Sequence, residues 1–200
     1  MNVPYFKPCI GKKFSAKKLL ILSYSAYSWR DDHGKVQTPQ RSHPKDSLGW
    51  AFEDFRNGDY RRYFTGMSRA LCRCKSFAVE EAKKVWDECA YTIYIQRTVG
   101  LGARTKPTSE QFKNAGPHFL TLIEKIRPSK VIVTGKTMWN QMPRTSVYRG
   151  ADLQAYKLSD GTLVWCLAVP HPSNSTVGFQ WKKVGESIRR FRSAKLPLRN

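Results

Sequence analysis

Four short apolar runs constrain the fold of this chain more than any other feature. They occupy residues 18–24, 90–96, 131–135 and 162–169. Runs that stay apolar without alternating are typical of strands buried on both faces, as in parallel sheets. Segments with helical patterns separate them. The sequence therefore predicts a three-layer α/β fold in which helices flank a central four-stranded, mostly parallel sheet.

The segments between these runs predict helices and one long loop. Helices are expected at residues 47–56, 67–75, 77–89 and 179–194. Another begins after a Thr108 cap with Gln111 in the capping-box position, and Gly116-Pro117 should kink or divide it. Residues 30–46 are polar and rich in turn-forming residues, which indicates a loop. We expect a basic N-terminal arm over residues 1–17 and a single α/β domain over residues 18–200.

The charge of the chain points to its partner. The 200 residues include 35 Lys and Arg against 15 Asp and Glu, a formal net charge of +20. A globular protein so basic usually binds a polyanion, so DNA is the first candidate. No apolar run approaches the roughly 20 residues of a membrane span, and we expect a cytoplasmic monomer that binds no membrane. Five cysteines without paired C-x-x-C spacing predict neither a metal site nor a cofactor.

The fourth apolar run passes directly into a loop that contains Pro170-His171-Pro172 and several small polar residues. Ligands of parallel α/β sheets bind beyond the carboxyl ends of the strands. This placement predicts a functional edge that carries His171, Ser173, Asn174 and Ser175.

Several segments form a series along the chain: Leu22-Ser23-Tyr24-Ser25-Ala26-Tyr27, the strand from Tyr91 to Gln96 with Arg104-x-x-Pro107-Thr108 after it, Val131-Ile132-Val133-Thr134-Gly135-Lys136, and His171-Pro172-Ser173. In order and spacing the series resembles the uracil-DNA glycosylase superfamily, over residues 18–191. The resemblance implies a sheet edge that grips DNA, flips a nucleotide into a pocket and hydrolyses its glycosidic bond. It also implies that His171 stabilises charge on the base O2 and that Ser173 contacts a DNA phosphate.

Two positions depart from the family pattern. Ser25 stands where the family has its water-activating aspartate, and a serine is not a base near neutral pH without a partner. The asparagine that pairs with uracil corresponds to Ile93 or Tyr94, and neither side chain can replace it. We therefore do not expect uracil to be the preferred substrate.

The residues around these positions still predict a pocket for a base. Tyr24, Tyr27 and Tyr94 offer aromatic faces for stacking, and Gln96 offers an amide. Small side chains such as that of Ser25 leave room for a substituent on the base. Core packing is the alternative role for the three tyrosines.

Two hypotheses about function follow. The first is a DNA glycosylase that excises a modified base, such as a hypermodified pyrimidine, in repair or in defence against foreign or phage DNA. In it Asp31 or Asp32 supplies the missing carboxylate, and His171 is the chief catalytic residue. The second is a catalytically inactive nucleic-acid-binding module of the same fold. Both hypotheses assign DNA contacts to the loop and the last helix, with Val177 as a candidate wedge: Ser173, Asn174, Ser175, Val177, Lys182 and Lys183.

Overall fold

The structure is a computed structural model that describes residues 6–59, 61–102, 105–144, 146–173 and 179–197. Its strands are β1 Cys9–Ile10, β2 Leu19–Ser23, β3 Ala26–Arg30, β4 Val36–Gln37, β5 Cys89–Ile93, β6 Thr98–Leu101, β7 Lys130–Thr134, β8 Tyr148–Arg149, β9 Leu153–Lys157 and β10 Leu163–Val169. Its helices are α1 Phe14–Lys17, α2 His43–Arg56, α3 Arg62–Cys72, α4 Val79–Asp87, α5 Ser109–Ile126, α6 Lys136–Gln141 and α7 Trp181–Ser193.

The main sheet has the strand order β1-β5-β2-β7-β10-β9-β8. The four inner strands β5, β2, β7 and β10 are parallel, and they correspond to the four apolar runs of the sequence. The predicted parallel sheet is therefore confirmed, but it is larger than expected. Three short strands extend it, because β1 pairs antiparallel with β5, β9 with β10, and β8 with β9.

Burial on both faces explains why the strands are apolar throughout. Within β2, Leu20 and Leu22 pack into one core layer, whereas Leu19 and Ile21 pack into the other. The first layer contains side chains of α5 and α6, and the second contains side chains of α2, α3, α4 and α7. Successive strand residues point to opposite faces, so each face of β2 needs apolar side chains.

Helix α5 differs from the prediction because it runs unbroken through Gly116-Pro117. Pro117 lacks the N–H group that would continue the hydrogen-bond ladder, at a cost of about 3 kcal/mol in a helix interior. The helix nevertheless buries Phe112, Phe119 and Leu122 in the core. Burying each such side chain stabilises the fold by about 1.5–3 kcal/mol, which outweighs the lost bond.

The predicted loop over residues 30–46 is also corrected. Strand β4 lies within it and forms a hairpin with β3, and together with β6 these strands make a second, three-stranded sheet. Helix α2 then starts at His43, four residues earlier than expected, because Pro44 fits the first turn of a helix. Helix α3 likewise starts at Arg62 rather than at residue 67.

The N-terminal segment is built into the domain over its described residues. Phe6 is fully buried, and it forms a small cluster with Ala26 and Ile93. Cys9–Ile10 adds strand β1 to the edge of the main sheet. In the part of the chain that the structure describes, no helix has the length and apolar character to cross a membrane.

Gly185 allows α7 to pack closely on α3. A Cβ at Gly185 would lie 2.6 Å from the carbonyl oxygen of Ala70. We expect Gly185→Ala to lower the free energy of unfolding by about 1–3 kcal/mol, because two helix backbones must separate. Gly49→Ala is the matched control, since a Cβ there meets nothing within 4 Å, and it should stabilise α2 by about 0.5–1 kcal/mol. Urea denaturation measures both changes, and equal stability of the two variants would contradict the packing argument.

Candidate active site

The carboxyl ends of the inner strands meet at one edge of the main sheet. There β2 leads into Tyr24, β7 into Gly135, and β10 into the segment that carries His171. The N–H of Gly135 donates a hydrogen bond to the carbonyl of Val169 at 2.8 Å. The N–H of Ile95 donates to the carbonyl of Tyr24 at 3.2 Å. The backbone pairing thus continues to the edge and holds these residues in fixed relative positions.

His171 is half-buried, and burial lowers the pKa of its imidazole below the usual value. Its Nδ1 accepts a hydrogen bond from the backbone N–H of Ser173 at 3.2 Å. A ring nitrogen that accepts a hydrogen bond carries no proton, so the neutral ring has its proton on Nε2. His171 is therefore a neutral hydrogen-bond donor at the edge of the sheet.

Two tyrosine rings flank the imidazole of His171. The ring centroid of Tyr24 lies 6.1 Å from that of His171, and the centroid of Tyr63 lies 5.5 Å away. Gly135 makes room for this arrangement, because a Cβ there would lie 3.6 Å from both the imidazole and the Tyr24 ring. Its φ of 119° also lies in the region that favours glycine. These contacts limit the orientations open to the imidazole.

Tyr63 connects His171 to the interior of the sheet. Its hydroxyl lies 3.2 Å from the hydroxyl of Thr134, which donates in turn to the carbonyl of Leu22 at 3.0 Å. Burial raises the pKa of the Tyr63 phenol well above the usual value, so the phenol keeps its proton. Sequence reasoning missed Tyr63, because it lies in an arginine-rich stretch and only the packing of α3 brings it to the site.

Part of the predicted base pocket lies beside His171. The ring of Tyr24 contacts Phe112 edge-on, with 5.3 Å between the centroids. The hydroxyl of Ser25 donates to the hydroxyl of Tyr27 at 3.1 Å. Tyr24, Ser25 and Tyr27 are all half-buried, so each keeps a surface that a ligand can contact. Of these three residues Tyr24 contacts the imidazole, and Ser25 and Tyr27 follow it in the chain.

A comparison with protein families bears directly on the resemblance. The sequence model of the uracil DNA glycosylase superfamily matches residues 47–190, which include His171, Tyr63 and three of the four parallel strands. The chain belongs to the uracil-DNA glycosylase superfamily. Membership implies N-glycosylase chemistry on DNA in general. A comparison with curated proteins gives no match.

Tyr94 and Gln96, which the sequence predicted in the base pocket, lie in the core instead. Tyr94 is 1% exposed and packs against Phe112, so it offers no face to a base. Gln96 is 5% exposed. Its side-chain oxygen accepts a hydrogen bond from the backbone N–H of Phe6 at 2.9 Å, and its side-chain nitrogen donates one to the backbone carbonyl of Ile93. Both predictions are corrected: Tyr94 fills the core, and Gln96 holds the N-terminal segment against the end of β5.

Asp31 shapes a turn rather than the active site. One of its carboxylate oxygens accepts the backbone N–H of Lys35 at 2.9 Å, and the other accepts the amide of Gln37 at 2.6 Å. The hydrogen bond from Gln37 lowers the pKa of the Asp31 carboxyl. Asp32 is exposed next to it. No contact found among the described residues joins either aspartate to His171, so the structure does not form the predicted partnership.

The predicted DNA contacts lie on and after the loop that carries His171. Ser173 is half-buried, and its backbone N–H donates a hydrogen bond to Nδ1 of His171. Lys182 and Lys183 are exposed in the first turn of α7. Their exposure leaves both ammonium groups accessible to a polyanion. The remaining predicted contacts lie outside the described residues: Asn174, Ser175 and Val177.

The loop is anchored on its other side by α3. A Cβ at Gly66 would lie 3.1 Å from Cβ of Pro172 and 3.3 Å from the ring of Phe179. Gly66 therefore lets the loop and the segment before α7 pack directly on the helix that carries Tyr63. The same helix positions both the imidazole loop and the tyrosine beside it.

Metal ligands do not come together in the described part of the chain. No group of three His, Cys, Asp or Glu side chains there could hold a metal ion. Cys72 and Cys74 are half-buried neighbours, but burial raises the pKa of the Cys72 thiol to about 12. Because metals bind the thiolate form, this thiol is a poor ligand at neutral pH.

We expect His171 to remain neutral at pH values at which an ordinary histidine is half protonated. Burial disfavours the imidazolium, and a proton on Nδ1 would break the hydrogen bond from Ser173. Nitrogen-15 NMR of the imidazole should show a proton on Nε2 and a titration midpoint below the usual value of about 6.5. A proton on Nδ1, or a midpoint at or above that value, would contradict the assignment.

Proposed function

We propose that the protein is a DNA N-glycosylase that flips a modified base other than uracil out of DNA and hydrolyses its glycosidic bond. The observation that carries the proposal is the neutral imidazole of His171, whose Nε2–H is the proton available for a hydrogen bond at the carboxyl edge of the sheet. A binding protein has no need of a preorganised donor at that position. A glycosylase needs one where negative charge develops on the departing base.

The reaction assigns a clear task to His171. When the bond between C1′ and the base nitrogen breaks, the electron pair leaves with the base, and positive charge develops on the sugar. The Nε2–H of His171 stabilises the negative charge on the base carbonyl. Water then adds its oxygen to C1′, and the proton that it loses balances the charge of the base anion. Donation from a fixed neutral imidazole requires no reorganisation during the reaction.

The fixed orientation of His171 supports this role. Ser173 determines which ring nitrogen carries the proton, while Tyr24 and Tyr63 flank the ring. Tyr63 is held in turn by Thr134, which belongs to the sheet itself. We infer that Tyr63 is a positioning residue, because its phenol contacts the imidazole and its hydroxyl is already used within the protein.

The pocket wall supports a substrate other than uracil. The resemblance implies that a side-chain amide pairs with the Watson–Crick edge of uracil. The side-chain amide of Gln96 already makes hydrogen bonds to the backbone of Phe6 and Ile93. Ser25 has a small, half-buried side chain next to Tyr24 in the chain, and we infer that it leaves room for a substituent on the base. A substituted pyrimidine would gain from the aromatic ring of Tyr24 and from the space beside Ser25. Removal of such a base would serve repair or defence against foreign DNA.

One observation favours the second candidate function, a nucleic-acid-binding module without hydrolysis. The hydroxyl of Ser25 donates a hydrogen bond to the hydroxyl of Tyr27, and the carboxylate of Asp31 accepts hydrogen bonds within its own turn. The described residues thus bring no carboxylate to His171 that would orient water and stabilise the sugar cation.

A glycosylase without such a carboxylate depends mainly on stabilising the negative charge of the departing base. Its rate should depend steeply on how readily the modified base departs.

We expect His171→Ala to reduce the rate of base excision about a hundredfold to a thousandfold, with DNA affinity nearly unchanged. Loss of one preorganised donor typically has an effect of this size. The assay is abasic-site formation on DNAs that carry a panel of natural, damaged and hypermodified bases. His33→Ala, which removes an exposed histidine from the turn after β3, is the matched control and should keep full activity. Asp31→Asn and Asp32→Asn test whether either carboxylate contributes to the rate.

The panel separates the two candidate functions. Excision of at least one base, lost in His171→Ala and kept in His33→Ala, would support the glycosylase. Salt-sensitive DNA binding without excision of any base would favour the binding module. Excision that is equally fast in the His171 variant would overturn the mechanism proposed for this site.

Lys182 and Lys183 should contribute electrostatic contacts to DNA. A plot of log affinity against log salt has a slope near −0.9 per phosphate contacted, so replacing both lysines by Gln should make it shallower by about 1.8. Lys84→Gln on the exposed side of α4 is the control for a lost charge, and its slope should stay within about 0.3 of the parent. Fluorescence anisotropy between low and moderate salt measures the slopes. An equal change in the Lys84 variant would contradict a localised interface.

A further inference from the structure

A cavity opens at the end of the sheet opposite to His171. Its volume is about 450 Å³, within the range of about 300–1,000 Å³ typical of small-ligand sites. Leu19 and Lys130, the first residues of β2 and β7, lie in its wall, together with residues of α1, α3 and α7. A strand rises about 3.3 Å per residue, so the length of β7 separates this cavity from the carboxyl edge by roughly 15 Å. It is therefore a different site from the one that contains His171.

The lining of this cavity is strongly basic. Its described residues include no aspartate or glutamate, and five of them are cationic: Lys17, Arg73, Lys130, Arg189 and Arg192. The other polar lining side chains are the hydroxyls of Ser129 and Ser193. A concave surface of one charge sign concentrates ions of the opposite sign. The chemistry of the wall selects an anion.

Carboxylates outside the lining hold the arginines in place. Glu186 accepts two hydrogen bonds from Arg189, at 2.6 and 3.0 Å, and lies 3.7 Å from Arg73. Hydrogen bonds from Arg189 and then Arg190 lower the pKa of Glu186 to about 2, so it stays ionised. Each guanidinium has five N–H donors, and these contacts use only some of them. The remaining donors are available to a ligand.

Two of the other cations, Arg192 and Lys130, also make hydrogen bonds within the protein. Arg192 donates to Glu88 at 2.7 Å, and Lys130 donates to the carbonyls of Arg192 and Ala194 at 2.7 and 2.9 Å. Among the described residues, Glu186 and Glu88 are the carboxylates that pair with lining residues, so the five cations keep an excess of three positive charges there. Lys17 is exposed in the lining.

One part of the wall is apolar. Leu19 and Ile188 are 1% and 2% exposed, and they line the cavity together with Leu71 and Ala70. Exposures this small mean that these side chains are already covered by the core. A phosphate group fills only part of a cavity of about 450 Å³, so a ligand with a further group attached to the phosphate fits the volume better.

We propose that this cavity binds a terminal phosphate monoester attached to a nucleoside, either as a free mononucleotide or as the phosphorylated 5′ end of a DNA strand. A phosphate monoester carries close to two negative charges and three acceptor oxygens, which suit several fixed arginine donors. A phosphodiester within a strand carries one charge and two neighbours that must also be accommodated. The nucleoside occupies the part of the cavity that the phosphate leaves open. This binding goes beyond the glycosylase reaction and does not require it.

The experiment is isothermal titration of the full chain with paired ligands. Thymidine 5′-monophosphate is compared with thymidine, and a short 5′-phosphorylated oligonucleotide with the same strand bearing a 5′ hydroxyl. We expect the phosphorylated member of at least one pair to bind at least tenfold more tightly. Preference within the first pair identifies a free nucleotide as the ligand, and preference within the second pair alone identifies a strand end. Equal affinity within both pairs overturns the proposal.

Three variants test whether binding occurs in the cavity. Lys17→Gln and Arg73→Gln should each weaken the phosphorylated ligand roughly tenfold to a hundredfold, the range for a charge-assisted hydrogen bond. Ala16→Trp places a large side chain in the wall without changing any charge, and it should have at least as great an effect. Lys17 and Ala16 are exposed, so these two variants remain informative if Arg73→Gln fails to fold.

Two controls keep the outcome distinct from nonspecific binding and from the active site. Lys84→Gln removes one exposed positive charge elsewhere and should leave the affinity within about twofold. His171→Ala should leave it unchanged, so a failure of the glycosylase proposal would not affect this result. If Ala16→Trp binds like the parent, or if Lys84→Gln weakens binding as much as Lys17→Gln, the cavity is not the site.

Discussion

The burial of β2 on both faces is the constraint on which the rest of the structure depends. β2 lies between β5 and β7, and Leu19, Leu20, Ile21 and Leu22 are all at most 1% exposed. Each of these side chains contributes about 1.5–3 kcal/mol by burial, so two helical layers are needed to cover the two faces. Because the strand is central, its carboxyl end is held by neighbours on both sides. The candidate active site is built on that end.

The chemistry of His171 follows from this placement. The loop after β10 places the imidazole at the carboxyl edge of the sheet. Burial lowers its pKa and favours the neutral form, and the hydrogen bond from the Ser173 N–H determines which ring nitrogen carries the proton. Tyr63 adds a ring on the side of α3, and its hydroxyl is tied through Thr134 to the backbone of β2. A histidine oriented in this way donates a hydrogen bond without first losing solvent. In the proposed reaction, this hydrogen bond is the electrostatic part of glycosidic bond cleavage, and it does not require the family aspartate that Ser25 replaces.

The two ends of the sheet have different characters. The carboxyl edge holds aromatic rings, hydroxyl groups and one neutral imidazole, whereas the amino edge holds the basic cavity around Lys130 and Arg189. A net charge of +20 is therefore not explained by one DNA-binding face alone. Positive charge at the amino edge is organised by Glu186 and Glu88, which fix arginines that would otherwise be mobile.

The sequence by itself determined the parallel sheet, the superfamily and the place of His171. Continuous apolar runs of this length are typical of strands buried on both faces, and the His-Pro-Ser motif follows the last of them directly. Local pattern did not reveal the partners of individual side chains. Tyr94 and Gln96 were predicted as pocket residues because they offer an aromatic face and an amide, yet Tyr94 packs on Phe112 and Gln96 bonds to Phe6 in the interior. Asp31 looked catalytic because it follows the first motif, yet its nearest donors are in its own turn.

Only the tertiary structure brought Tyr63 to His171 and assembled the basic cavity. Tyr63 and His171 are far apart in sequence, and nothing in the stretch around Tyr63 distinguishes it from an ordinary helix residue. Lys17 lies in α1, Arg73 directly follows α3 and Arg189 lies in α7, and each alone has the pattern of a solvated surface charge. Sequence periodicity reports which face of an element is buried, because burial depends on local composition. Which residues face one another depends on how α3 and α7 pack, and that is decided by contacts between distant parts of the chain.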